Sequence, residues 1–175
     1  MIAFRHIASP VGPLLLAASA EALVAIEFRD NRHPVKRSAA WQEGDNAVLR
    51  QTQRQLDAYF TGARRAFDLP LDPRGTPFQL QVWRALADLP HGSTCSYREL
   101  ARRIGRPAAV RAVGAANGRN PIPIVLPCHR VIGADGALTG FGGGLPTKAF
   151  LLRLEGALPR DADLFAANGG AGAGG

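Results

Sequence analysis

The sequence predicts an α+β fold, in which a small three-stranded antiparallel sheet with a helix precedes a mostly helical second half that contains a helix-turn-helix. Two patterns predict it. Residues 1–30 alternate short apolar segments with turn residues, whereas residues 76–156 carry apolar side chains at helical spacing between helix caps and breakers. With 175 residues, 46% of them hydrophobic and 20% charged, the chain is long enough to bury a core.

The N-terminal sheet is predicted from three apolar segments that are separated by turn residues: Ile2–Ile7, Leu14–Ala18 and Leu23–Phe28. Residues 31–45 are polar and show no clear period. From Asn46 to Phe60, apolar side chains recur at helical spacing, so we expect a helix that covers one face of the sheet.

Two prolines and a glycine between residues 68 and 75 predict a linker. We therefore expect an N-terminal α/β domain over residues 1–72 and a second domain over residues 76–160. Residues 166–175 are nearly all Ala and Gly. Such a segment cannot bury enough apolar surface to offset the entropy lost on ordering, so we expect a disordered tail.

The two cysteines, Cys95 and Cys128, lack the paired spacing of disulfide frameworks and zinc sites. We therefore expect no metal and no cofactor. No apolar stretch has the length of a membrane span, and the first ten residues lack the order of a signal peptide. We expect a cytoplasmic protein that does not enter a membrane.

The formal net charge of +7 is concentrated in the second half, where residues 76–156 carry ten basic and four acidic side chains. Six arginines and a single acid, Glu99, lie within residues 98–119. Such a cluster favours a negatively charged partner, most commonly nucleic acid. A solvated basic surface is the alternative interpretation.

The same region has the pattern of a helix-turn-helix. Residues 96–99 form a capping box that starts a helix at Tyr97, and Gly105 is placed to end it. Pro107 then precedes a second helix, Ala108–Ala116. That helix consists mostly of Ala and Gly with Arg111 as its one long polar side chain, which favours reading of DNA shape over reading of bases, although an ordinary alanine-rich core helix has the same pattern.

A candidate nucleophile, Cys128, lies between Pro127 and the pair His129 and Arg130. Nearby imidazole and cationic groups stabilise a thiolate, and thiolates are the reactive form of cysteine. On spacing alone, a buried cysteine beside a histidine is the alternative.

The stretch Pro127-Cys128-His129-Arg130-Val131-Ile132 resembles the signature of the O6-alkylguanine-DNA alkyltransferases, which remove alkyl groups from guanine by transfer to a cysteine. The resemblance continues in the family's order over residues 76–156, in these further blocks: Gly75-Thr76-Pro77-Phe78-Gln79 through Trp83, Ser96-Tyr97, Arg111-Ala112-Val113-Gly114, Asn120-Pro121, Gly140-Phe141-Gly142-Gly143-Gly144-Leu145 through Lys148, and Leu154-Glu155-Gly156. The N-terminal half matches weakly, mainly at residues 9–12.

The resemblance implies that Cys128 is the alkyl acceptor and that Asn120, His129 and Glu155 organise it, with His129 acting through a water. It implies that Tyr97 serves the leaving guanine oxygen. It also implies a DNA-binding set and a substrate pocket: Arg111 as the intercalating residue, with Tyr97, Ala112, Gly114, Arg119 and Arg130 on the DNA, and Phe141, Gly142, Lys148 and Val131 around the base, where main-chain groups of Cys128 and Val131 meet its edge.

The function implied is direct-reversal DNA repair, with irreversible, single-turnover transfer of an alkyl group from O6 of guanine, and from O4 of thymine, after the nucleotide is flipped out of duplex DNA. A monomer that binds the minor groove and can cluster along DNA is expected. Three alternatives are a lesion sensor that binds without reacting, a helix-turn-helix regulator and a cysteine hydrolase. Gly142 and Gly143 stand where some relatives carry larger or polar residues, so the alkyl sizes accepted stay open.

Overall fold

The computed structural model describes residues 1–158. The tail predicted over residues 166–175, and the last two residues of the predicted second domain, lie outside the described residues.

The N-terminal half is built on a four-stranded sheet in the order β3-β2-β1-β4. The three predicted strands pair antiparallel, as expected. The fourth strand pairs parallel to β1 and lies within the polar segment that the sequence left without structure. A strand of three residues is too short to show a period in the sequence. In the structure, the ring of Trp41 packs against that of Phe4 on β1, with centroids 6.4 Å apart. The strands are β1 Ile2–Ile7, β2 Leu14–Ala18, β3 Leu23–Phe28 and β4 Trp41–Glu43.

Helix α1, Ala47–Phe60, covers this sheet as predicted. Asn46 caps it, because its Oδ1 accepts a hydrogen bond from the amide of Leu49 at 2.9 Å. The same side chain donates from Nδ2 to the carbonyl of Ala18 at 3.2 Å, which fixes the start of the helix to the end of β2.

The segment predicted as a linker is attached to the sheet. The amide of Leu23 donates to Pro70, and the amide of Asp72 donates back to Leu23, both at 2.8 Å. The main hydrophobic cluster includes residues of both halves, among them Leu16 and Trp83. The division into domains at residues 72 and 76 stays a prediction.

The second half is mostly helical over the described residues, as predicted. Ser96 caps α3 through the amide of Glu99 at 3.0 Å, and Gly105 follows α3 with a φ of 73°, the conformation expected of a helix-ending glycine. Helix α4 begins later than predicted, because Pro107 lies in the turn before it. The elements are α2 Pro77–Leu86, β5 Cys95–Ser96, α3 Tyr97–Arg103, α4 Val110–Gly118, β6 Val131–Ile132, which pairs parallel to β5, and α5 Leu145–Leu154.

Candidate active site

Cys128 begins a single 3₁₀ turn, Cys128–Arg130, directly after the largely buried, proline-rich loop of residues 120–127. The side-chain amide of Asn120 hydrogen-bonds to this loop through both its nitrogen and its oxygen. Its Nδ2 donates to the carbonyl of Leu126 at 2.7 Å, and its Oδ1 accepts from the amide of Ile122 at 3.0 Å. These bonds satisfy buried backbone groups that have no ladder partner, so they fix the approach to Cys128.

The loop also holds strain. Ile124 is 1% exposed and has a φ of 74°, a left-handed conformation that costs a β-branched residue about 1–3 kcal/mol. Contacts outside the loop hold it in place: the amide of Ile26 donates to Pro121 at 2.9 Å, and Nδ2 of Asn117 donates to the carbonyl of Cys128 at 3.4 Å. The position of the cysteine is therefore set by packing from several elements.

Glu155, the residue after α5, is the centre of a buried hydrogen-bond network. It accepts from the hydroxyl of Tyr59 at 2.7 Å, pairs with Nε2 of His129 at 2.8 Å, and receives Nε and Nη2 of Arg130 at 2.8 and 2.9 Å. Burial alone would raise the pKa of Glu155, but the hydrogen bonds from His129 and Arg130 outweigh it and hold the pKa well below its usual range. Glu155 is therefore a carboxylate at neutral pH.

Burial lowers the pKa of His129, which is 0% exposed, so its imidazole is neutral at pH 7. With Nε2 directed at the Glu155 carboxylate, the proton lies on Nε2 and the lone pair on Nδ1. No residue in the described part of the chain hydrogen-bonds to Nδ1. The ring therefore carries a buried acceptor that is available to take a proton.

The thiol of Cys128 is 5% exposed, and burial raises its pKa to about 11. The Asn120 side chain and the charge of Lys148 act in the opposite direction but do not compensate. The expectation that neighbouring imidazole and cationic groups hold a thiolate was wrong for the resting protein, because His129 is neutral and Arg130 is paired with Glu155. Cys128 rests as a thiol and needs a base.

Lys148 is buried completely and donates from Nζ to the carbonyls of Val131 and Thr139, both at 2.7 Å. Burial lowers its pKa to about 8, while the charge of a Cys128 thiolate would raise it. Lys148 thus ties the strand after the reactive turn to the loop before α5.

Cys128 borders a narrow cleft, here called the inner cleft, that also contacts Asn31, Asn117, Asn120 and Phe141. A second depression, the outer mouth, is lined by Arg32, His33, Tyr97 and Gly114. The two share Gly118 and the lip residues Gly140, Phe141 and Gly142. Tyr97 and Cys128 therefore lie at two depressions that are bounded by the same lip residues.

The Tyr97 hydroxyl accepts a hydrogen bond from Oγ1 of Thr139 at 3.1 Å. Burial raises the pKa of Tyr97, so the phenol keeps its proton at neutral pH and can donate it. The outer mouth thus offers a proton donor, and the inner cleft offers a thiol.

Comparison with known proteins identifies the chemistry. Family profiles match residues 2–73, as the ribonuclease-like domain of 6-O-methylguanine DNA methyltransferase, and residues 77–157, as its DNA binding domain. The chain belongs to this family. Membership brings with it direct-reversal DNA repair by transfer of an alkyl group to a cysteine, and the non-reacting sensor is not favoured.

Individual relatives agree with the family assignment. The methylated-DNA–protein-cysteine methyltransferase of Methanosarcina barkeri is 50% identical over 149 residues, which cover 85% of this chain and 94% of that protein. The protein of the same name from Mycobacterium tuberculosis is 48% identical over 166 residues, 94% of this chain and 99% of its own. The crystal structure of the M. tuberculosis protein, OGT, in complex with DNA superposes with a TM-score of 0.83 at 47% identity, covering 93% of this chain and 99% of that one.

Most residues that the alkyltransferase resemblance assigned to catalysis are brought together. His129 and Glu155 are in direct contact, and Asn120 and Cys128 share the inner cleft. Phe141 and Gly142 border the inner cleft, and Tyr97 lies at the outer mouth.

The prediction that Arg130 contacts DNA was wrong. The sequence placed it on the DNA surface, but it is 6% exposed, paired with Glu155 and donating from Nη1 to the carbonyl of Leu89 at 2.6 Å. Because the guanidinium is buried and paired with a carboxylate, it does not lie on the surface that would meet DNA, and it contributes to the network behind the site.

Val131 and Lys148, predicted to surround the base, are both fully buried, and neither is among the residues that line the inner cleft or the outer mouth. The carbonyl of Val131 accepts from Lys148, and its amide donates to the carbonyl of Cys128. Their contribution is to hold the backbone that carries the cysteine.

Two of the three predicted DNA-binding residues on α4 are exposed. Arg111 and Ala112 are exposed, as is Arg119 just after the helix, whereas Gly114 faces Tyr97. All six arginines within residues 98–119 are exposed, which leaves a basic surface around α3 and α4.

Sequence reasoning missed two kinds of site residue. Tyr59 has the pattern of an ordinary apolar helix position, and nothing in the sequence indicates that its hydroxyl reaches Glu155. Asn31 belongs to a polar segment without period, and only the fold brings it to the inner cleft.

Among residues 1–158, no helix is long and apolar enough to cross a membrane. The same residues contain no group of three or more His, Cys, Asp or Glu side chains placed to hold a metal ion.

Proposed function

We propose that Cys128 is the alkyl acceptor and that it takes the group from O6 of guanine, and from O4 of thymine, in duplex DNA. The observation that carries the proposal is that Cys128 borders one cleft with Asn120 and the lip residues Phe141 and Gly142, while the His129–Glu155 pair lies in contact behind it. Cys95, the other free cysteine, does not border that cleft.

His129 activates the thiol. Its free Nδ1 takes the Cys128 proton, directly or through one water, and the imidazolium that forms is stabilised by the Glu155 carboxylate at 2.8 Å. This arrangement supplies a thiolate at the moment of reaction, although burial keeps the resting group protonated.

The thiolate then attacks the alkyl carbon. A bond forms between Sγ and carbon as the bond between carbon and the guanine oxygen breaks, and the electron pair of that bond stays on the guanine. Tyr97 donates its proton there, so the proton gained by His129 balances the proton lost by Tyr97. The product is a thioether. Its carbon–sulfur bond is stable, and the site proposed here has no group that would break it to restore the thiol. Each molecule therefore reacts once.

The target atom lies inside the base stack, so the nucleotide is flipped out at a cost of a few kcal/mol. Helices α3 and α4 act as a helix-turn-helix that enters the minor groove, and Arg111 fills the space left by the extruded base. Ala112, Gly114 and the neighbouring small residues permit close approach, and Arg119 contacts phosphate. Recognition by shape suits a protein whose lesions occur in any sequence.

The protein acts as a monomer that can cluster along DNA, and it acts in the cytoplasm. The two free cysteines support a reducing compartment, because an acceptor thiol lost to a disulfide could not react.

Intact-mass measurement tests the proposal. The protein is mixed with duplex DNA that carries one O6-methylguanine, and we expect the mass of one methyl group to appear on the peptide containing Cys128. Cys128→Ala should abolish the gain, whereas Cys95→Ala, the matched loss of a buried thiol, should retain it. A Cys128→Ala protein that still gains the methyl group would refute the assignment.

A further inference from the structure

The wall of the inner cleft includes side chains from the N-terminal half. From the sequence, Gly142 and Gly143 left the accepted alkyl sizes open; in the structure, the space beside both glycines is occupied. A Cβ on Gly143 would lie 2.6 Å from Cδ2 of Phe28, and a Cβ on Gly142 would lie 3.0 Å from Oδ1 of Asn31. Residues from the end of β3 and the segment after it therefore stand where lip side chains would otherwise be.

Backbone and ring contacts fix this segment, residues 29–34, here called the strap. The amide of Arg32 donates to the carbonyl of Gly142 at 3.1 Å. Just before the strap, the rings of Phe28 and Phe141 pack with centroids 5.4 Å apart. The strap is thus anchored on the lip itself, on both sides of Asn31.

Asn31 is half-buried and borders the same narrow cleft as Cys128. An alkyl group must place its first carbon against Sγ for transfer, so any further carbons have to fit within the remaining cleft. Anchoring of the strap limits how far Asn31 can withdraw, and interiors packed this closely accommodate extra atoms poorly.

We propose that Asn31 is the residue that sets the size of alkyl group accepted by this site, which rests on the proposed role of Cys128. Asn31 occupies the volume that larger groups need, so methyl transfer is favoured over transfer of bulky groups. Its effect is one of volume, and its amide takes no part in the bond-making step.

The test compares two substrates in single-turnover reactions, duplex DNA with O6-methylguanine and duplex DNA with O6-benzylguanine, with alkylation of Cys128 followed by mass. Asn31→Ala should raise the ratio of benzyl to methyl rate constants by about tenfold or more, the scale on which pocket size discriminates between substrates. The free base O6-benzylguanine should also react faster with Asn31→Ala, because the gain does not depend on DNA binding.

Two variants serve as controls. Asn31→Leu keeps a similar branched shape without the amide and should not raise the benzyl-to-methyl ratio. Asp30→Ala changes the adjacent exposed strap residue and should leave the ratio unchanged.

An unchanged ratio in Asn31→Ala, or an equal increase for Asn31→Leu, would overturn the role of Asn31. Equal acceleration of both substrates by Asn31→Ala would also overturn it, because that result indicates general opening of the strap. If instead the proposed function is wrong, the native protein would be methylated at a residue other than Cys128, which the mass measurement distinguishes from these results.

Discussion

Glu155, the residue directly after α5, is the hydrogen-bond acceptor on which the buried network depends. Three side chains converge on its two oxygens, and all three are buried with it. Burying a charge is costly unless it is paired and hydrogen-bonded. Here Arg130 pairs the charge, and the neutral Tyr59 and His129 add hydrogen bonds. The carboxylate therefore fixes the His129 tautomer and neutralises Arg130 at once.

Glu155→Gln should lower the free energy of unfolding by about 3–5 kcal/mol at pH 7, because it leaves the Arg130 charge buried and uncompensated. Tyr59→Phe, which removes only one hydrogen bond to the same carboxylate, should cost about 1–3 kcal/mol. Urea unfolding of both variants measures the difference. A Glu155→Gln protein as stable as Tyr59→Phe would contradict the role of the charge.

The pH dependence of stability follows with a definite sign. Because the pKa of Glu155 is lowered in the folded protein, its contribution is complete above the pKa of an unfolded carboxyl, about 4.3, and is lost as pH falls toward the folded value. Glu155→Gln should therefore flatten the loss of stability below about pH 4.

Helices α3 and α4 present exposed arginines around a turn, and Arg111 is the one arginine within α4 itself. Arg111→Ala should slow repair of duplex DNA by about tenfold or more, since the side chain offsets part of the few kcal/mol spent on flipping. Reaction with free O6-benzylguanine should change little, because no stack has to be opened.

Arg84→Ala is the matched control, since it removes an exposed arginine from α2. Rate constants on both substrates should be near those of the native protein. Equal losses for Arg111→Ala on duplex and on free base would contradict the intercalating role.

The elements that the sequence predicts well are those with long apolar periods or sharp end signals. The three antiparallel strands, α1, and the start of α3 at Tyr97 belong to this group. β4 could not be predicted, because three residues held by backbone pairing carry no period. The start of α4 was placed too early, since Pro107 is equally compatible with a turn and with a first helical turn.

The site divides in the same way. Cys128, His129 and Asn120 lie within one proline-rich stretch, so a local motif indicates them. Arg130 belongs to the same motif, but the orientation of its side chain is set by its ion pair with Glu155. The two residues lie 25 positions apart in the chain, so no local pattern indicates the contact. Tyr59 lies 96 positions from Glu155 and was inaccessible to sequence reasoning for the same reason.

The N-terminal half of the chain is part of the site. Phe28 fills the place of a side chain at Gly143, Asn31 borders the inner cleft, and Tyr59 holds Glu155. The two halves also share one hydrophobic cluster. Changes in the N-terminal half should therefore reach both stability and reaction.

Gly143→Ala tests this coupling, because its Cβ would lie 2.6 Å from the Phe28 ring. We expect a loss of about 1–3 kcal/mol in the free energy of unfolding from overpacking, together with slower methyl transfer. Gly140→Ala is the control, since nothing lies within 4 Å of its Cβ position. Thermal unfolding and single-turnover rates compare them, and equal behaviour of the two variants would show that Phe28 does not confine the lip.

The Cys128 thiol has a raised pKa and reacts because His129 takes its proton inside the protein. The single-turnover rate of methyl transfer at saturating duplex DNA is measured across pH 6.5–7.5, below the pKa of about 8 to which burial lowers Lys148, whose charge acts on Cys128. We predict a nearly constant rate, because His129 is neutral and Cys128 is a thiol throughout this range, so no proton is exchanged with solvent before the bond forms. A rate that rises about tenfold for each pH unit would contradict the claim, since it would mean that solvent hydroxide, and not His129, generates the thiolate.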